Sequence, residues 1–217
     1  MHPLSAAQYR SMEKKVLITI GREFGSGGKS VASALGEKLG IPVYDQELLE
    51  SAARKSGLSP EFLSQSDEKR HFFGLGGLLD GGRFWHNPGS AVNDNELFRI
   101  QSEAILDLAK NGSAIFVGRA SDYVLRDQLT LDVFICAPIE SRISRVSERR
   151  GISKAEAETL IRKKDKGRKD YYNLLTFGDN WGEASNYDLC IDSSILGIEG
   201  TADFIVRFGK AAGIIPE

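Results

Sequence analysis

The sequence predicts an α/β domain built on a five-stranded parallel sheet with helices on both faces, and three observations lead there. Short apolar, β-branched runs alternate with segments of helical period, each run is bounded by breakers, and a glycine-rich turn joins the first run to the first helix. In sheets of this kind ligands bind at the carboxyl ends of the strands.

Residues 16–20, VLITI, have the composition of a strand covered on both faces. After the glycines, Val31, Leu35 and Leu39 recur every fourth residue and predict a helix that stops at Gly40. Residues 41–44 read as a second strand and 46–55 as a helix, and Ser59 before Pro60 opens another as N-cap and first-turn proline. Residues 66–93 hold neither period: six glycines from Gly74 to Gly89 sit among Phe72, Phe73, Phe84 and Trp85. The aromatics of this excursion either cover a ligand or pin the loop to the body. From Asn93 or Asp94 a long helix carries Leu97, Gln101, Ala104 and Leu108 on one face and ends at Gly112. Strands follow at 114–117 and 131–136, then a basic helix at 139–150. The capping box Ser153-Lys-Ala-Glu156 opens a helical insertion ahead of a fifth strand at 187–191, and Ile198, Thr201, Ile205 and Phe208 mark a closing helix.

A chain of 217 residues suits one core with an excursion. Its net charge of -2 and pI near 6.0 speak against a nucleic-acid polymer as partner, so any anion site must be local. Cys136 and Cys190 lie in apolar runs and read as buried thiols of a reducing cytoplasm. No apolar stretch reaches the length of a membrane span, and MHPLSAAQYRSMEK lacks the continuous apolar centre of a signal peptide. His2, His71 and His86 show no metal-ligand spacing.

The chemistry concentrates in GREFGSGGKS, residues 21–30. A polyphosphate needs donors that approach closely, which Gly25, Gly27 and Gly28 allow, and the amides at the following helix start face the anion. Lys29 would reach the terminal phosphates and the Ser30 hydroxyl would hold Mg²⁺. Glu23 stands where the pattern G-x-x-x-x-G-K-[ST] has its first glycine, so it must point away from the phosphates or pair with Arg22 or with a lid arginine. Residues 142–170 carry eleven Lys or Arg against five Asp or Glu. Arg145, Lys154 and Lys169 read as a solvated face. Arg162, Asp165 and Arg168 recur every third residue, so on a helix the carboxylate could position both guanidinium groups over a transferring phosphoryl. Arg119 follows Gly118 at the end of the third strand and either binds a second phosphate or makes a surface salt bridge. Asp45 either contacts an acceptor's base or sugar or N-caps the next helix.

Taken together, ITIGREFGSGGKSVASALGEKLGIPVYD, IFVGRASDYVL, SRVSERRG, IRKKDKGRKDYY and YDLCIDSS resemble the cytidylate kinase-like family, a branch of the nucleoside monophosphate kinases, over roughly residues 16–208. The resemblance implies a P-loop NTPase-type three-layer fold with a helical lid, ATP and Mg²⁺, and a nucleoside monophosphate acceptor, CMP or dCMP. Length and composition give a flexible tail at 1–14 and a single domain at 15–217, and within it the resemblance implies an acceptor region at about 45–93 and a lid at about 151–182. Gly25, Ser26, Gly27, Gly28, Lys29 and Ser30 match the ATP phosphate loop, Arg119 the acceptor-phosphate arginine, Arg162 and Arg168 the lid arginines, and Asp45 the acceptor side. Glu23, Val117 and Ala120 depart from the family's pattern, leaving Mg²⁺ on Ser30, phosphates and water. The implied enzyme is cytoplasmic, works on small nucleotides and touches neither membrane nor nucleic-acid polymer.

Overall fold

The computed structural model describes residues 15–45, 91–178 and 180–217, with 91–97 described by backbone alone. The tail at 1–14, the helices read at 46–55 and from Ser59, and the excursion up to residue 90 lie outside the described residues.

Five parallel strands stand in the order β2-β3-β1-β4-β5. They are β1 (Leu17–Arg22), β2 (Val43–Tyr44), β3 (Ala114–Val117), β4 (Leu131–Cys136) and β5 (Leu189–Asp192). The helices are α1 (Gly28–Leu39), α2 (Ala91–Asn111), α3 (Ser121–Val124), α4 (Ile139–Arg150), α5 (Lys154–Leu175) and α6 (Ser193–Ala211). β1 is central: Ile18 pairs with Ile115 of β3 and Leu131 of β4. Alternation along β1 divides the core into two layers. Ile18 and Ile20 meet Val31 and Leu35 of α1 and Ala202 and Ile205 of α6. Leu17, one residue out of phase, meets Ile105 and Ala109 of α2. A strand buried on both faces can be apolar throughout, which is why VLITI carries no polar alternation.

Several expectations shift in detail. The long helix begins at Ala91, and the short α3 was not anticipated. The closing helix starts at Ser193, because Asp192 caps it through its carboxylate to the Ser194 amide (2.8 Å), and it kinks at Gly197. The cysteines are not both buried: Cys136 is half-buried and Cys190 exposed, since β5 is an edge strand. The capping box forms as read, with Glu156 N–H donating to Ser153 Oγ (3.3 Å) and Ser153 N–H to Glu156 Oε2 (2.9 Å).

α5 is fastened to the body near its C-terminus. Tyr172 donates its hydroxyl to Asp122 Oδ2 (2.6 Å) at α3, and beyond the helix Trp181 meets Phe134 edge-on. Burial pushes the Asp122 carboxyl up to about 6, against the opposing hydrogen bond from Tyr172. The folded state therefore holds this proton more tightly than the unfolded chain does. The resulting penalty is absent below about pH 4 and complete above about pH 6. Asp122→Asn keeps an oxygen for Tyr172 and removes the buried charge. It should stabilise the protein at pH 7.5 by about 1–3 kcal/mol in urea denaturation, a gain that fades toward pH 4.

Candidate active site

The loop between β1 and α1 lies at the carboxyl edge of the central strand, and its successive carbonyls are held by donors, four of them from outside the loop. Arg168 Nη1 donates to the carbonyl of Arg22 (2.9 Å), Ser26 Oγ to that of Glu23 (2.9 Å), and Arg142 Nη1 lies 3.4 Å from that of Phe24. Arg145 Nη1 donates to the carbonyl of Gly25 (2.6 Å), Ser193 Oγ to that of Ser26, and the Val31 amide to that of Gly27 (3.0 Å). With six successive carbonyls held by donors, the amides of Gly25, Gly27, Gly28, Lys29 and Ser30 donate to no acceptor among the described residues. Gly25 and Gly27 both adopt positive φ, at 84° and 85°, which turns these amides toward one side of the loop. The result is a ring of N–H donors at a helix N-terminus, suited to phosphate oxygens.

Glu23 proves to belong to this scaffold. It does not pair with Arg22. Its Oε2 accepts from the Ala137 amide (3.0 Å) and its Oε1 faces Arg142 Nη2 at 3.5 Å, which anchors the loop to the end of β4. Arg142 also pairs with Asp165 (2.5 Å), whose other oxygen accepts from the Phe24 amide (2.6 Å). Asp165 thus positions Arg142 and lies 4.0 Å from Arg168, rather than gathering Arg162. Arg162 pairs with Glu158 (2.7 Å) on the outer face of α5 and is largely exposed. Arg145, expected on a solvated face, instead reaches the loop, while Lys154 and Lys169 are exposed as read.

The other side of the site comes from β2 and β3. Lys29 Nζ pairs with Asp45 Oδ2 at 2.6 Å. Gly118, Arg119 and Ala120 are three consecutive left-handed residues, with φ of 73°, 62° and 52°, and the two that carry side chains hold backbone strain of about 1–2 kcal/mol each. That turn lays the Arg119 guanidinium over the Tyr171 ring at 4.8 Å, with its Nε buried and without a hydrogen-bond partner. Burial lowers the pKa of Arg168, with Asp165 opposing.

Sequence reasoning passed over Arg22, Arg142, Arg145 and Ser193. A signal existed for Arg142: it shares a helix face with Ile139, Ile143 and Val146, and a cation on an apolar stripe points inward.

A parallel sheet with such a loop on its central strand defines a P-loop NTPase-type fold. The family model described as the cytidylate kinase-like family matches residues 17–195. A cytidylate kinase from Methanopyrus kandleri is 30% identical over 189 residues, covering 82% of this chain and 85% of that protein. The crystal structure of an uncharacterized protein from Eubacterium ventriosum matches with a TM-score of 0.67 at 27% identity, over 91% of this chain and 99% of that one. Shikimate kinase from Acinetobacter baumannii shares the fold at a TM-score of 0.51 and 14% identity, over 94% and 97% of the two chains. The chain belongs to the cytidylate kinase-like family and is thereby a nucleoside monophosphate kinase.

Glu23→Gly would complete the phosphate-loop pattern on paper, yet it removes one of the two carboxylates that neutralise Arg142. It should cost about 2 kcal/mol in chemical denaturation and weaken ATP binding measured by calorimetry. Equal stability with tighter ATP binding would show that Glu23 does not scaffold the loop.

Proposed function

We propose that the protein transfers the γ-phosphoryl of ATP to a nucleoside monophosphate, with CMP or dCMP as acceptor. The observation that carries this reading is the set of amides of Gly25, Gly27, Gly28, Lys29 and Ser30, which meet no acceptor among the described residues while the loop's carbonyls are held by donors. A polyphosphate donor fits it: Gly25, Ser26, Gly27 and Gly28 line the loop, Lys29 reaches the terminal phosphates, and the Ser30 hydroxyl would hold Mg²⁺. The metal, when bound, neutralises charge on the donor phosphates.

Arg119 receives the acceptor's phosphate, and Asp45, released from Lys29 when a nucleotide arrives, turns to the acceptor's sugar or base. Arg168 stabilises the charge spread over the transferring group, and Arg162 joins it after leaving Glu158. These residues lower the barrier by alignment and preset charge, without a covalent intermediate. We take α5 as the lid, within residues 151–182, and residues 45–93 as the acceptor region of a single domain spanning 15–217. Two free thiols and small nucleotide substrates fit a cytoplasmic enzyme.

A coupled assay of ADP release over a panel of nucleoside monophosphates tests the reading, with CMP and dCMP expected to give the highest kcat/KM. ADP formed with none of them, while ATP still raises the melting temperature, would reject the acceptor assignment. Lys29→Ala should lower kcat at least a hundredfold. Its folding stability should change by less than about 1 kcal/mol, because the Lys29–Asp45 pair is solvent-exposed on the lysine side. A variant with unimpaired turnover would remove Lys29 from the mechanism.

A further inference from the structure

Two arginines near the loop are treated very differently by their surroundings. Arg142 sits between Asp165 and Glu23, as a buried guanidinium with a structural role requires. Arg22, the last residue of β1, has no carboxylate within ion-pair distance among the described residues, and its backbone carbonyl is held by Arg168. Space for its side chain is made by two glycines on different loops. A Cβ on Gly28 would fall 2.6 Å from Arg22 Cβ, and a Cβ on Gly118 would fall 1.7 Å from Nη1. The guanidinium therefore brings its Nη1 end against the bare backbone of Gly118, next in sequence to Arg119. Asp45 attracts it from a distance but is engaged by Lys29. Burial, together with repulsion from Arg168 and Arg119, brings the Arg22 pKa down to about 9, so at neutral pH it stays charged among like charges.

Such a grouping is unfavourable for the protein alone and favourable around a dianion. Its place is also specific: Gly28 of the donor loop meets its Cβ and Cγ, and Gly118, beside Arg119 at the end of β3, meets its guanidinium. We propose that Arg22 is a phosphate-binding residue, which together with Arg119 grips the phosphomonoester of the acceptor. This inference rests on the phosphoryl-transfer reading above and adds to it an arginine from the central strand. It also gives Gly118 a reason to be glycine beyond its positive φ, since any side chain there would occupy the space of the Arg22 guanidinium.

The test uses inorganic phosphate in an anion-poor buffer, with binding followed by calorimetry and by melting temperature. Wild type should be stabilised by phosphate. Arg22→Met should melt at or above the wild-type temperature without phosphate yet bind phosphate at least about tenfold more weakly, and Arg119→Met should share the loss of affinity. Wild type without phosphate stabilisation, or R22M with affinity within about twofold of wild type, would overturn the proposal. So would R22M that loses both stability and affinity, which is the behaviour of a packing residue. Affinity lost in R22M and retained in R119M would put the anion on the donor loop and overturn the acceptor assignment. If R22M does not fold, Arg22→Lys decides, because it fills the same channel without the planar fork. Binding weakened about tenfold at an unchanged melting temperature supports the proposal, and unchanged binding overturns it. These readouts need no turnover. A chain that forms no ADP but follows the expected pattern would lose the kinase reading and keep Arg22, whereas ADP formation with an unchanged acceptor KM in R22M would do the reverse.

Discussion

A loop that presents N–H groups must dispose of its carbonyls, and here that constraint organises everything around the central strand. Peptide groups alternate donor and acceptor, so turning several amides to one side forces the adjoining oxygens to the other, where each needs a partner. Arg142 and Arg145 come from α4, Arg168 from α5 and Ser193 from α6, so three helices from the second half of the chain converge on the carbonyls of four residues near its beginning. The α4–α5 pair packs through Val146, Ala157 and Ile161, with Phe24 of the loop against the same cluster. Anchoring of the loop and packing of these helices are thus one structure. A change that loosens α5 also releases the carbonyls it holds.

Most of the elements could be read from the chain because their signals are local. The strands at Ala114–Val117 and Leu131–Cys136 and the helix at Ile139–Arg150 are bounded by residues that act on their own backbone, such as Gly151, which caps its helix with φ of 65°. The capping box at Ser153 and Glu156 is equally self-contained. What stayed hidden depends on distant partners. Nothing in the spacing of SRISRVSERR separates Arg145, which ties a loop carbonyl, from an arginine that faces water, because its deciding partner, Gly25, is 120 residues away. Glu23 is illegible for the same reason: compared with the motif it reads as a defect, yet it acts through Ala137 and Arg142. The Arg162–Asp165–Arg168 periodicity was a sound reason to place three groups on one helix, but Arg142, on a neighbouring helix, competes successfully for the carboxylate.

Strain and charge gather where β3 ends. Arg119 and Ala120 hold left-handed backbone that alanine and arginine rarely adopt, and the short α3 that follows supplies Asp122 for Tyr172 of α5. Tyr171, the neighbour of that tyrosine, carries the Arg119 guanidinium on its ring. One turn of α5 therefore touches both the arginine and the strained turn that presents it. Movement of this helix would alter the position of Arg119 along with that of Arg168, because adjacent tyrosines tie it to both the guanidinium and the turn.

The Lys29–Asp45 pair shows how the site keeps its cations available. A lysine aimed at bare water would cost nothing, but a largely desolvated carboxylate without a partner would be expensive. Pairing resolves this, and because Lys29 is mostly exposed the pair itself is worth no more than about 1 kcal/mol. Exchange of Asp45 for a phosphate at Lys29 then replaces one anionic partner with another of greater charge, so the exchange favours the nucleotide. The freed carboxylate stands at the end of β2, on the side where Arg119 and Gly118 close the sheet's edge. Binding of the donor would in this way reset the charge of the acceptor side, by moving one side chain rather than by moving a domain.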